Sequence, residues 1–175
     1  MAGDPTKVGV WPDADVFIAD TDAEIPADVD TPFGADWDLV GLLDGDAGFV
    51  QSREEDVADH YAWGGILVRT TRRQFKQTVT FTALEDNDTT RELIWPGSSA
   101  GELKVPRPAR KKIAFETREG DKVRRLISKF EAEITINGDI TDSEGAPTSY
   151  ELQATIFPDA DGVLFVEQKS DVGSS

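Results

Sequence analysis

The sequence predicts a mainly β protein, an antiparallel β-sandwich or barrel with one short α-helix and an extended acidic N-terminal arm and loop. Three observations carry that expectation. From about residue 64 onward, apolar and polar residues alternate with the period of two that a half-buried strand requires. Turn signals such as Gly120-Asp121 and PDADG separate these runs. One stretch, DNDTTRELIWPG, breaks the alternation with helical features.

In chain order, two weaker strands are expected upstream, at Asp15–Ala19 (DVFIA) and Trp37–Leu43 (WDLVGLL). Residues 1–36 read as an acidic, proline-bearing arm with one short strand, and residues 44–63 as a charged loop. Ile66, Val68 and Thr70 then alternate with Leu67 and Arg69, and Val79, Phe81 and Ala83 with Thr78, Thr80 and Thr82. Thr89 and Glu92 have capping-box spacing, Leu93, Ile94 and Trp95 form an apolar patch, and Pro96-Gly97 stop the segment, which predicts a helix from about 89 to 95. SSAGELKVPRPARK is a loop with two prolines. KKIAFETRE and DKVRRLISK pair as a hairpin across Gly120-Asp121. FEAEITING and SYELQATIF place Ala132, Ile134 and Ile136, then Tyr150, Leu152, Ala154 and Ile156, on apolar faces, and VLFVEQ closes the set. Residues 1–175 are expected to form one domain, an arm at 1–36 and a sandwich core at 37–175.

The charge is lopsided. The 175 residues include 34 acids against 18 bases, a net charge of −16. Residues 1–60 hold 16 of those acids and only two of the bases, Lys7 and Arg53. Such a chain offers no broad cationic face to nucleic acid or to an anionic membrane. The absence of cysteine excludes disulfides, a Cys-ligated zinc and thiol catalysis. A single histidine, His60, is too few for a multi-His metal centre. No apolar run approaches the roughly 20 residues of a membrane helix, and MAGDPTKVGV lacks a signal-peptide core. A soluble protein made in a cytoplasm is expected.

Few motifs point to chemistry. In LDGDAG, Asp44 and Asp46 are weak candidate calcium ligands, but the glycine falls fifth from Asp44 where a calcium loop needs it sixth, so an acidic β-turn is the better reading. Glu54, Glu55, Asp56, Asp59 and His60 form a second acidic knot, read as a solvated loop. The bases Arg69, Arg72 and Arg73, with Lys104, Arg107, Arg110, Lys111 and Lys112, suit pairing with the acidic first third, on the same subunit or another. Nothing resembles a P-loop, a dinucleotide fingerprint or a nucleophile elbow. Neither an enzyme nor a cofactor is expected.

The ordered string of pieces over residues 14–98 resembles the major tail protein of long-tailed, non-contractile bacteriophages. An early strand and acidic-proline linker lead to a tryptophan strand (Trp37, Asp38, Leu39, Gly41), an Asp44-Gly45 turn and a charged loop. A Trp63-Gly64-Gly65 pivot enters a Val68-Arg69 strand, and a long Phe-containing strand ends in Leu84, Glu85 and Asn87 before the short helix.

That resemblance implies a structural virion protein, assembled in the bacterial host cytoplasm. Its hexameric rings would stack into a tail tube conducting the genome. Implied partners are further copies of the chain and the tape-measure, tail-terminator and tail-tip proteins. DNA passes through without specific binding, and no membrane is involved. Lumen-facing candidates are Glu131, Glu133, Thr135, Glu151, Gln153, Thr78, Thr80 and Thr82. Inter-subunit candidates are Trp37, Trp63, Glu54, Glu55, Asp56, Arg69, Arg72, Arg73, Arg107, Arg110 and Lys111, with the acidic arm and loop ordering on neighbouring copies. Two other readings compete. One is a tail-terminator or head–tail connector that forms a single ring, the other a monomeric calcium- or carbohydrate-binding β-sandwich.

Overall fold

Alternating strands joined by short turns can satisfy their backbone groups only by antiparallel pairing, and every strand pair in this chain is antiparallel. The computed structural model describes residues 3–170. After one 3-10 turn at Pro5–Lys7 come β1 (Asp13–Ala19), β2 (Trp37–Leu39), β3 (Val50–Ala62), β4 (Ile66–Ala83) and α1 (Asp88–Ile94). They are followed by β5 (Ala109–Glu119), β6 (Lys122–Ser128), β7 (Ala132–Ile136), β8 (Tyr150–Ile156) and β9 (Phe165–Lys169). One sheet runs β2-β1-β5-β6-β9 and the other β5-β7-β8-β4-β3.

Strand β5 belongs to both sheets. Its residues Ala114–Glu119 pair with β6, and Ala109–Lys111 pair with β7. The path from β6 to β7 breaks between Ser128 and Ala132, and there the Ile113 N–H donates to the Ser128 hydroxyl at 2.9 Å. That bond satisfies a buried donor at the corner where the sheets part, which would otherwise cost about 1–3 kcal/mol.

Between the sheets lies the main core. Val79, Phe81 and Ala83 of β4, Ile134 of β7 and Leu152, Ala154 and Ile156 of β8 cluster with Val16, Ile18, Ile113 and Phe115. Phe49 and Phe81 meet the Phe115 ring edge-on, at 5.1 and 5.8 Å. Such pairs each add about 0.5–1.5 kcal/mol beyond burial.

The helix is where the sequence expects it, but its cap differs. Asn87, not Thr89, is the N-cap, with its Oδ1 accepting from the Thr90 N–H at 2.8 Å. Thr90 and Asn87 both donate to the Val40 carbonyl, and Glu85 accepts from the Leu42 N–H at 3.0 Å. The Leu84-Glu85-x-Asn87 step is therefore a clasp holding residues 40–42 against the helix start. Gly41, at φ +103°, sits under it, where any Cβ would collide with the Glu85 carboxylate. Leu93 and Ile94 join the main core, so the helix is part of its wall and does not lie outside the sheet.

The acidic arm also departs from expectation. Its strand β1 lies between β2 and β5, with Val16 and Ile18 fully buried, and so belongs to the core itself. The following residues fold back over the outer face of their own sheet. Trp37, only 6% exposed, packs there with Ala19, Ala23, Ala114 and Ile127, backed by Phe17, Ile25 and Phe33. Side-chain donors tie down the arm's carbonyls: Trp37 Nε1 to Glu24, Lys112 Nζ to Ala23 and Gln168 Nε2 to Pro26, at 2.9, 2.8 and 2.6 Å. Arg125 reaches the Asp28 and Thr31 carbonyls, stacks 4.6 Å from the Phe33 ring and pairs with buried Glu116 at 2.5 Å. Arg118 joins Glu116 to Asp13 and Asp15. Burial works against its charge, and the hydrogen bonds it donates to these carboxylates more than reverse that, raising its pKa. The arm is packed against and hydrogen-bonded to its own chain.

Arg125→Ala leaves Glu116 buried without one of its guanidinium partners and frees two arm carbonyls. It is expected to lower unfolding free energy in urea by about 3–5 kcal/mol. Arg125→Lys should recover only part of this, since an ammonium cannot stack and fork as a guanidinium does. A loss below about 1 kcal/mol would contradict the arm's dependence on Arg125.

Candidate assembly surfaces

The stretch read as a charged loop at 44–63 is mostly strand. All thirteen residues of β3 are exposed, and β4 is exposed over most of its length up to Lys76. Pairing of β4 with β8 begins only at Gln77. From there out to Ile66, β3 and β4 pair with each other and with no further strand. At about 3.4 Å per residue, this ribbon projects ~35 Å beyond the sheet. The sequence hid it because β3 carries charges on both faces, with no apolar alternation. The Trp63-Gly64-Gly65 signal was the available clue, since both glycines adopt the positive φ of a tight hairpin turn.

An isolated two-stranded ribbon is marginal in water. Local bonds fasten this one: Arg72 to Glu55 at 2.9 Å, the Thr70 hydroxyl to Asp59 at 2.8 Å and Arg53 to Gln77 at 3.2 Å. Near its base a bulge opens at Gln74, a non-glycine residue at φ +58°, which bends the ribbon. Beyond the bulge its apolar side chains have no cover. Trp63 is 100% exposed, and Val57, Tyr61, Ile66, Leu67 and Val68 are all more than half exposed.

The second surface is the polar face of β7, β8 and β4. Registers align Arg110, Glu133, Thr155, Thr78 and Ser52 in one row across the strands. Thr135, Gln153, Thr80 and Val50 form the next row, and Thr82 lies opposite Glu151 beyond it. The lumen candidates on these strands therefore share one face, opposite the core residues, but Thr78 and Thr82 are buried within it, each 7% exposed, which corrects their reading as lumen-lining side chains. Glu131 precedes β7 and accepts from the Thr21 hydroxyl. This face is built of hydroxyls, amides and carboxylates, with Arg110 at its margin, 3.5 Å from Glu133.

The inter-subunit candidates divide. Trp63 is free at the ribbon tip, whereas Trp37 is spent in its own subunit's packing. Glu54 lies opposite Lys76, Asp56 opposite Arg73 and His60 opposite Arg69, so the acidic knot faces bases of its own hairpin. Lys111 bridges Asp20 at 2.6 Å and Glu92 at 2.7 Å, joining arm to helix. Burial depresses its pKa, but those two hydrogen bonds prevail and raise it. Lys111 is thus an internal clamp. Arg107 is exposed and borders an apolar groove beside the helix.

Asp44 Oδ1 accepts from the Asp46 and Ala47 N–H groups at 2.9 and 3.3 Å, the turn geometry that its sequence suggested. Among the described residues no group of three or more His, Cys, Asp or Glu side chains is placed to hold a metal ion. No helix among them is long and apolar enough to cross a membrane. Neither a known protein-family model nor a curated protein matches this chain.

The Leu42 N–H, followed by the Asn87 side chain, holds the Glu85 carboxyl below its ordinary value of 4.5. A carboxyl depressed in the folded state contributes stability that is complete above the unfolded value and fades as pH falls through the folded one. Glu85→Gln should therefore unfold at a lower temperature than wild type near about pH 7, and the two melting temperatures should converge by about pH 3. A constant gap across that range would contradict the clasp's ionic character.

Proposed function

We propose that the chain is the tube-forming subunit of a long bacteriophage tail, a virion protein whose rings stack into a DNA-conducting channel. The observation that carries this reading is the β3–β4 ribbon. It is a long, curved, two-stranded projection with an uncovered aromatic and aliphatic tip, on a chain otherwise able to bury its own core. Projections of this kind gain their stability from another copy. The order of motifs over residues 14–98 supports the choice of family, and the polar face of β4, β7 and β8 supports a conducting role.

A bore must let DNA slide. Duplex DNA carries one charge per ~1.7 Å, and each cation paired with a phosphate adds salt-dependent affinity. Glu131, Glu133 and Glu151 among threonines and Gln153 instead leave the duplex hydrated and weakly repelled. The internally ordered arm simplifies assembly, because the subunit reaches its partners already folded and loses less conformational entropy on joining them.

Electron microscopy of the purified protein at high concentration should show hollow tubes of stacked rings. Isolated single rings would favour a terminator or connector instead, and monomers under every condition would overturn the proposal. Replacing Glu131, Glu133 and Glu151 together with lysine should leave tube formation intact and impair genome ejection from phage carrying the variant. Ejection at the wild-type rate would remove this face from the lumen.

A further inference from the structure

We infer that Asn137 is a site of spontaneous modification, at which the Gly138 backbone nitrogen displaces the side-chain amide and leaves a carboxylate on the polar face of β7 and β8. Three features meet there. Asn137 is followed by glycine, so no side chain hinders the nitrogen that must approach Cγ. It is the first residue past β7, and residues 137–147 are all exposed, without helix or strand. Gly138 lies at φ +129°, in open space, and its N–H donates to no partner among the described residues. The nucleophile is therefore free.

The step balances with water alone. Hydroxide takes the Gly138 amide proton, the nitrogen bonds to Asn137 Cγ, and the Cγ–Nδ2 bond breaks. The departing nitrogen takes a proton from water, leaving as ammonia and restoring the hydroxide. The cyclic imide then adds one water and opens at either carbonyl. One opening gives aspartate, the other isoaspartate, in which the main chain runs through Cγ.

The chain carries its own control. Asn87 is the other asparagine. Its Oδ1 accepts from the Thr90 N–H and hydroxyl at 2.8 and 3.1 Å, and its Nδ2 donates to the Val40 carbonyl at 2.8 Å. The next residue, Asp88, starts α1 and brings a Cβ to the attacking nitrogen. At Asn137 one bond restrains the side chain, Nδ2 to Glu151 Oε1 at 2.6 Å. Both partners are exposed, so water competes for that bond, which slows the reaction without preventing it.

The product changes the charge of the face. The Asn137 N–H donates to the Glu151 carbonyl at 2.8 Å, and Glu151 pairs with Thr82, so the three residues form one cross-strand row. A carboxylate at position 137 turns the donor that Glu151 now accepts from into a like charge directly across the strands, which is destabilising. This inference goes beyond the assembly reading and holds for a lone subunit. In a tube built as proposed above, each modified copy would add one negative charge to the wall of the bore.

Trypsin separates the two asparagines, into peptides 130–169 and 77–91. Folded wild-type protein is held at mildly alkaline pH, sampled over days, digested and analysed by mass spectrometry. Peptide 130–169 should gain one mass unit, with fragment ions placing it at residue 137, at least ~10-fold faster than 77–91 gains its own. Glu151→Ala should speed the change about 2- to 10-fold. Asn137→Gln, which would have to close a larger ring, should abolish it. Asn137→Asp, which carries the product's charge on an unaltered backbone, should melt about 1–4 °C below wild type near neutral pH. Equal rates in the two peptides, or a folded protein that stays unmodified at 137 while the same chain in urea reacts, would overturn the site. An Asn137→Asp chain that melts with wild type would overturn the charge consequence. None of these results depends on whether tubes form, so the tube reading stands or falls separately.

Discussion

The structure turns on one constraint: a β-ribbon with water on both faces has no core of its own. Most of the chain solves the burial problem internally. Two sheets share β5, three phenylalanines meet at its centre, and the helix adds Leu93 and Ile94 to the wall. The ribbon is the part left over. Its cross-strand ion pair and hydrogen bonds are solvent-screened contacts, each worth about 0–1 kcal/mol, against roughly 1–2 kcal/mol of backbone entropy for every residue held extended. The self-association proposed above would supply the missing free energy from a surface outside the chain.

The distribution of acid follows a related logic. An excess of carboxylates in the first third could have meant a solvated tail. Instead, the arm lays Trp37, Phe33 and Ile25 over its own sheet, and Arg125, Lys112 and Gln168 reach from that sheet to its carbonyls. Within the ribbon, acids and bases answer each other across its two strands: Arg72 binds Glu55, Arg73 lies opposite Asp56 and Lys76 opposite Glu54.

Much of the fold was legible in the sequence because period-two alternation reports directly on half-buried strands. Val79, Phe81 and Ala83 against Thr78, Thr80 and Thr82 are the clearest case, and Gly120-Asp121 marked the β5–β6 hairpin. The helix was legible to within a residue, but its cap was not, because Asn87 and Thr90 do double duty on the distant Val40 carbonyl. Strand β4 was legible from Ile66, but its ribbon partner β3 escaped, because its charged residues give no apolar alternation when neither face is buried. Arg125 escaped because its partners, Glu116 and the carbonyls of Asp28 and Thr31, are assembled only by folding. Of the candidate site, the polar face of β4, β7 and β8 was readable strand by strand, whereas its continuity depends on registers that no single strand encodes.

Amide hydrogen exchange, compared between free subunit and assembled material, tests the central claim most directly. The account predicts that protection of residues 50–76 rises on assembly while that of residues 20–36, already held by Arg125 and the second cluster, hardly changes. Equal protection of the ribbon in both states, or slow exchange confined to the arm, would contradict it.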